Sequence, residues 1–405
     1  MQKSLIVILF TLLFSACTTQ NVKTTPVTKA EPQECKPCSS QVTPPVTEPN
    51  KSTAQYGLLK PANWDALDGF LQDDLTASWN AWLTSCTTLK NKKPWQVACN
   101  AANKLKNPNN AQLVDYYTTY FDVYGTTKQN GHDVGLITGY YEPILKGSKT
   151  PSAKYQYPLY RQPKDLITVD LDEIHPELQF KRLIGKIDGD RLVPYLTRAQ
   201  IETQPSPLAG NELVWVDDAL DAFFVQIQGS GLVQLENGKQ IHIGYASQNG
   251  HPYQSIGKAL VARGELTLDQ ASIKSIKEWV SAHPDQLHAL LNVNPSYVFF
   301  RELPDNLFGP LGSLGVPLTA ERSVAIDPKF IPLGAPVFLS TTYPNSTQTL
   351  KRLMMAQDTG GAIKDGVRAD FYWGSGEQAG KMAGAMKQDG NIWVLLPKEF
   401  KLSNQ

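Results

Sequence analysis

One stretch near the end of the chain restricts what it can fold into: Met354 to Gly374, reading MMAQDTGGAIKDGVRADFYWG. Its centre, Gly360-Gly361, demands a tight or unusual backbone passage. After it the pattern alternates. Val367, Ala369 and Phe371 point one way and Arg368, Asp370 and Tyr372 the other, as in a half-buried strand. Such a strand holds Asp370 between aromatic neighbours, with Asp358 a candidate to lie close in space. A carboxyl among rings, with little water, has its charged form disfavoured and its pKa raised. That suits a general acid working near neutral pH. A second reading stands beside the first: Asp358 caps a turn, and Asp370 pairs with Arg368 or Arg352, since structural ion pairs also perturb pKa values.

At 405 residues the chain has room for two domains and a sizeable core. Its 38 basic residues balance 38 acidic ones, and no basic block occurs, so nothing points to a nucleic acid as partner. A neutral, polar substrate such as a glycan fits this balance. The N-terminus is more specific. Lys3 precedes an apolar run from Leu5 to Phe14, followed by Ser15-Ala16-Cys17. The run is too short to span a bilayer stably and reads as an export signal over residues 1–17. Small residues before a cysteine resemble a bacterial lipobox, although Phe14 stands where leucine is commonest. Cys17 is therefore the expected lipidation site, where several acyl chains together anchor firmly. Thr18 rather than an aspartate follows, which resembles the sorting pattern of outer-membrane lipoproteins. The expected location is the periplasmic face of the outer membrane. Residues 18–55 are rich in Thr and Pro and nearly free of large apolar side chains, the composition of a disordered tether. Extended, such a tether reaches on the order of 120 Å.

Four further cysteines occur. Cys35-Lys36-Pro37-Cys38 lies in the tether without a second such pair, so a local disulfide or no role is expected. Cys86 and Cys99 either bridge two neighbouring helices or are buried thiols. Those helices fall within residues 62–125. Leu67, Phe70, Leu71, Leu75, Trp79, Trp82, Leu83 and Cys86 recur at helical spacing, and a later helix runs through Tyr116, Tyr120 and Tyr124. The aromatic stripe reads as core.

From Val134 the pattern is β-rich, ending in Gly139-Tyr140-Tyr141-Glu142-Pro143. Val225-Gln226-Ile227-Gln228 reads as a strand running into the turn Gly229-Ser230-Gly231. Its glycines suit either close approach to a ligand or a plain hairpin. Tyr245 to Tyr253, with Asn249, reads as a polar, aromatic loop of the kind that recognises sugars. Helices are expected from about Gln254, and strands return at Asn294 to Arg301. The last hundred residues read as β, apart from a short helix from Gly376 to Met386. No zinc, calcium or P-loop motif is present. Gly229-Ser230-Gly231 is neither a nucleophile elbow nor, with Gln234 in place of the third glycine, a dinucleotide fingerprint. Asp358-Thr359-Gly360 occurs once, whereas an aspartic protease needs two such halves.

Gly139 to Pro143, Val225 to Gly231, Tyr245 to Gly257, Asn294 to Phe300, Ser323 to Gly334 and Asp358 to Gly374 occur in this order. Together they resemble the MltA family of membrane-bound lytic murein transglycosylases over nearly the whole chain after residue 60. The C-terminal part resembles the 3D domain, whose three aspartates match Asp327, Asp358 and Asp370. The resemblance implies a mainly β fold with N-terminal helices. A double-psi β-barrel is built from residues 56–145 and 306–405, a smaller β-barrel domain over residues 146–305 is inserted into it, and a groove lies between them. It implies cleavage of the β-1,4 bond between N-acetylmuramic acid and N-acetylglucosamine, leaving a 1,6-anhydro end, with no metal or cofactor. Asp370 is then the catalytic residue, with Asp358 its neighbour. Tyr141, Glu142, Gln228, Gly229, Ser230 and Gly231 lie towards the groove, where the sugar-like loop adds Tyr245 and Asn249. The implied partners are glycan strands, the membrane through the lipid anchor, and, as an open expectation, a cell-wall enzyme complex. Two rival readings are a hydrolytic muramidase and a non-catalytic peptidoglycan-binding lipoprotein.

Overall fold

The apolar spacing that begins at Leu67 becomes α-helical only from Leu75. β1 (Leu59–Ala62) and two short 3-10 turns come first, then α1 (Leu75–Leu89), α2 (Gln96–Ala102) and α3 (Asn110–Tyr120). Two of the starts are chemically marked. The Asp74 carboxylate accepts from the Thr76 N–H at 3.1 Å, and Asn109 and Gln112 cap each other with two 3.0 Å bonds. Trp79, Trp82, Tyr116 and Tyr117 are buried, so the aromatic stripe is core. Cys86 and Cys99 are joined in a disulfide. Tyr124, expected with the third helix, belongs instead to β2 (Phe121–Thr126), where Phe121 and Val123 alternate with exposed Asp122. The computed structural model describes residues 56–402 apart from 179, 180 and 182. The export signal with Cys17, the tether and the Cys35–Cys38 pair lie outside the described residues.

β3 (Gly135–Glu142) enters the first barrel, and the chain then leaves it. The excursion holds β4 (Ile144–Ser148), β5 (Tyr157–Tyr160), β6 (Ile167–Val169), β7 (Leu183–Asp188), β8 (Arg191–Pro194), α4 (Arg198–Ile201) and β9 (Glu212–Val216). It continues with α5 (Ala219–Gln228), β10 (Ser230–Leu235), β11 (Gln240–Gln248), α6 (Ile256–Ala262), α7 (Ile273–Ala282), α8 (Leu287–Leu291) and β12 (Val298–Glu302). The chain returns through β13 (Ser323–Ile326), β14 (Pro336–Thr342), β15 (Thr349–Thr359), β16 (Arg368–Ser375), α9 (Gly376–Ala385) and β17 (Lys387–Pro397).

The strands of the first barrel follow the order β17-β14-β15-β13-β16-β3, and β3 pairs again with β17, so the ring of six closes. β13–β15 and β16–β3 are parallel and the other four contacts antiparallel. This is the double-psi β-barrel that the sequence led us to expect, contributed by both ends of the chain. Gly390 is the corner of the closure. Lys387 to Gly390 pair with β3, and Asn391 to Val394 with β14. A Cβ there would stand 2.7 Å from Ile137 Cγ1 and 2.8 Å from the Ser340 carbonyl, so only glycine fits without displacing the backbone. In the inserted domain the order is β12-β11-β10-β4-β9-β5, and a bridge between Arg161 and Phe300 brings the two outer strands together. β6, β7 and β8 form a separate three-stranded sheet.

Two local readings are corrected. Val225 to Gln228 is not a strand but the last turn of α5. An unbroken apolar run fits either element. Here the Asp218 carboxylate caps the Asp221 N–H at 2.8 Å, and Gly229 ends the helix at φ +80°. Tyr245 to Gln248 belong to β11 rather than to a loop, with an irregularity in the β11–β12 register between Tyr245 and Ser247.

The helices are bolted to the barrel by one buried ion pair. Arg322 donates to both Asp73 oxygens, at 3.0 and 2.8 Å, and to the carbonyls of Leu353 and Asp74, while Asp73 also accepts from the Leu353 N–H at 2.7 Å. Asp73→Ala strands a buried guanidinium. We expect it to cost about 3–5 kcal/mol in urea unfolding, far above the effect of an exposed acidic-to-Ala change.

Candidate active site

β15, β13, β16 and β3 lie side by side. The register sets Asp358 beside Ala325, Ala325 beside Asp370, and Asp370 beside Thr138. Residues in register share a face, so two carboxyls and a hydroxyl form one row, the carboxyl-bearing Cα atoms about 10 Å apart. Ala325 is the residue between them in the register. Thr138 Oγ1 donates to Asp370 Oδ1 at 2.6 Å. Tyr140, two residues along β3 and therefore on the same face, donates its hydroxyl to Asp358 Oδ2 at 3.0 Å. The other Asp358 oxygen accepts from the Ser313 N–H, the Ser313 hydroxyl and the Thr359 N–H, each at 2.9 Å. The Tyr140 and Tyr372 rings lie 5.2 Å apart against this row.

The ion-pair reading of Asp370 is not realised. Arg352 is paired with Glu321, and Arg368 donates to the carbonyls of Ala369 and Leu136. The turn-holding reading of Asp358 is realised, through Thr359 and Ser313. Burial is the main cause that raises the pKa of both aspartates. For Asp370 the Thr138 bond and the Arg368 charge work against that rise, and the Asp358 charge adds to it. Asp358 is opposed in its rise by all four of its donors. Hydrogen bonding therefore favours the charged form of Asp358, with four donors, more than that of Asp370, with one.

Asp327, the third aspartate, is buried and acts on the backbone. It accepts from the N–H groups of Lys329 and Asp365, at 3.2 and 3.1 Å, and so pins the segment after Gly360-Gly361. Gln357, just before Asp358, is fully buried and ties β15 to α1 through the Ala81 carbonyl and the Ser85 hydroxyl, both at 2.9 Å.

A cavity of about 570 Å³ lies between the two barrels. Gln228, Gly229, Ser230 and Tyr245 stand on one wall, and Ser313 and Asp358 on the other. Asp370 lies outside this wall, further along the row. Tyr141, Glu142, Gly231 and Asn249 also do not line it. The Tyr141 ring packs on Gly380, while its N–H donates to Gln228 Oε1 at 3.0 Å. Glu142 is 1% exposed; Ser375 donates to one oxygen at 2.8 Å, and the other lies 3.6 Å from His242 Nδ1. Burial raises its pKa. Gly231 is walled in by Val225 and Leu145. Asn249 is 1% exposed and spends its amide on Leu196, Pro295 and Tyr297 backbone groups. These four shape the fold around the cleft. Of the residues that donate to the carboxyls, Thr138 and Ser313 were not singled out from sequence. The two-residue period of β3 could have found Thr138, on the same face as Tyr140; Ser313 carries no such signal. Among the described residues no group of three or more His, Cys, Asp or Glu is placed to hold a metal ion.

Residues 136–301 match the family model described as the MltA specific insert domain, and residues 322–396 match the 3D domain. A relative from Vibrio cholerae, named membrane-bound lytic murein transglycosylase A, is 33% identical over 267 residues, which is 64% of this chain and 65% of the relative. The crystal structure of MltA from Neisseria gonorrhoeae is 37% identical with a TM-score of 0.73, covering 85% of this chain and 93% of that one. A crystal structure of Escherichia coli MltA with bound chitohexaose is 27% identical with a TM-score of 0.62, covering 78% of this chain and 89% of that one. The chain belongs to the MltA family. It spans 65% of the length of the Vibrio cholerae relative it matches.

The raised carboxyl pKa values carry a cost in stability. A group whose folded pKa lies above its unfolded value binds protons more tightly when folded, so stability falls as pH rises through that window. Asp370→Asn removes this titrating group. Its urea midpoint should exceed that of the parent at about pH 7 and converge with it near pH 4, close to the unfolded aspartate pKa.

Proposed function

We propose that the chain is a lytic murein transglycosylase that cleaves the β-1,4 bond between N-acetylmuramic acid and N-acetylglucosamine. The observation that carries this reading is the carboxyl row beside the cleft: one aspartate with a single donor, the other held by four. Family membership and the relatives' names support it. The chitohexaose bound to the Escherichia coli relative supports a cleft that takes a β-linked aminosugar strand.

In the proposed reaction protonated Asp370 gives its proton to the glycosidic oxygen as the C1–O bond breaks. Asp358, kept ionised by its donors, faces the positive charge that develops on the sugar. The 6-hydroxyl of the same muramic residue then attacks C1, and the Asp370 carboxylate accepts its proton. The 1,6-anhydro ring closes, the new chain end leaves as an alcohol, and Asp370 returns to its starting state. Ordinary glycosidases need a second carboxyl as base or nucleophile. An internal hydroxyl removes that need. We take residues 146–305 as the inserted domain that supplies the opposite cleft wall. Lipidation at Cys17 and a periplasmic outer-membrane location belong to the same proposal, supported by the membrane-bound naming of the relatives and the sequence before Cys17. Among the described residues no helix is long and apolar enough to cross a membrane.

Full-length protein in detergent, incubated with purified sacculi, should release muropeptides about 18 Da lighter than hydrolysis products, one water less. Asp370→Asn should lower the rate by at least about 10²–10⁴-fold. Reducing ends would mean a muramidase; binding without product would mean a binding module. Activity should fall as pH rises through the Asp370 pKa, because the acid form is lost. Asp358→Asn removes a like charge and should move that limb to lower pH. Thr138→Val removes the donor that favours the carboxylate and should move it to higher pH. Rate–pH profiles of the two variants that shift in the same direction would contradict the assignment.

A further inference from the structure

A second cavity, of about 470 Å³, shares two wall residues with the cleft, Ala246 and Arg301. It lies at the seam of the inserted barrel, where Arg161 bridges to Phe300, the residue before Arg301. The register irregularity of β11 falls at Ala246, between Tyr245 and Ser247, and such irregularities re-aim side chains beside functional sites. Arg161 and Arg301 both stand in the wall of this side cavity. The Arg301 backbone pairs with Gly244 in the β11–β12 ladder, but its guanidinium makes no hydrogen bond or ion pair among the described residues. Arg161 donates to the backbone carbonyl of Glu212, a neutral acceptor. The nearby acids are already engaged. Glu302, also in the wall, is tied to Lys149 at 2.6 Å, and the Glu212 carboxylate accepts from the Gly210 N–H at 2.8 Å. Two guanidinium charges therefore remain without a carboxylate in a chain whose formal net charge is zero.

A neutral sugar does not call for such a pair. A muramic residue does, because its O3 carries a lactyl group that projects sideways from the glycan axis. That group ends in a free carboxylate or in an amide to a stem peptide that bears carboxylates of its own. We infer that the side cavity, through Arg301 and Arg161, binds a carboxylate borne on the lactyl arm of a muramic residue held in the cleft. The planar fork of arginine matches a carboxylate in two parallel hydrogen bonds, which lysine cannot do. The inference rests on the glycan-cleaving reading above. It extends that reading by naming what distinguishes murein from an uncharged β-1,4 aminosugar polymer.

The test uses the full-length Asp370→Asn chain in detergent, so that ligands are not turned over, with and without Arg301→Gln. Calorimetry gives the affinity for chitohexaose, for a peptide-free murein hexasaccharide, and for the same hexasaccharide carrying stem peptides. Arg301→Gln should lower the preference for carboxylated over neutral ligand by about tenfold or more, and Arg301→Lys by less. Loss for the peptide-free ligand alone identifies the free lactyl carboxylate as the bound group, loss for the peptide-bearing ligand alone identifies a carboxylate of the stem peptide, and loss for both shows that the side cavity accepts either. An unchanged preference for both overturns the inference. The catalytic reading fails separately, if the parent chain forms no new ends on sacculi, and the affinity ratio still decides what the side cavity binds.

Discussion

Everything at the cleft depends on the parallel pairing of β3 with β16. Thr138 and Asp370 are 232 residues apart in sequence yet lie side by side in that ladder. Without β3 the barrel would present an open edge at β16, and Asp370 would lose its hydroxyl donor. The same strand leads directly into the inserted domain. At the end of the ladder Glu142 stands opposite Ser375 and accepts its hydroxyl, while His242 of β11 approaches from the other domain. One residue earlier, the Tyr141 N–H reaches Gln228 at the end of α5. The strand that completes the first barrel thus also carries the contacts that hold the second against it.

The two aspartates show how environment, not residue type, divides labour. Both are half-buried, and burial is the main cause that raises both pKa values. What separates them is the count of donors. Ser313, Thr359 and Tyr140 compensate Asp358 almost as water would, at the expense of ordering a loop and a tyrosine. Asp370 receives one hydroxyl and the repulsion of its neighbour. A site with two equal carboxyls would share its proton ambiguously. The unequal donor sets make the two carboxyls chemically distinct.

How far the chain could be read depended on the period of each segment. Alternation in Val367 to Tyr372 put Asp370 on one face of a strand, and β16 has that form. The spacing from Leu75 to Cys86 was a helix. Val225 to Gln228 was misread because α5 is buried on most sides, which erases the helical period, and only Asp218 and Gly229 mark its ends. Tyr141 and Glu142 were placed towards the groove on the strength of a motif. In the structure the neighbouring Tyr140 faces the carboxyls, since Thr138 and Tyr140, not Tyr141, share the face of Asp370. Asn249 has the chemistry of a sugar ligand but is consumed by its own backbone neighbours. Ser313, in a loop without a period, could only be found once the chain had folded around it.

The order of the strands along the chain has a temporal meaning. Of the four strands in the carboxyl row, one precedes the inserted domain and three follow it. A chain delivered N-terminus first, whether from a ribosome or through a narrow pore, cannot assemble the row until β16 has emerged, after the whole inserted domain. The inserted domain, by contrast, takes all six of its barrel strands from one continuous stretch and can be completed earlier. A product that stops before β16 would therefore have a wall of the cleft but not the carboxyl row.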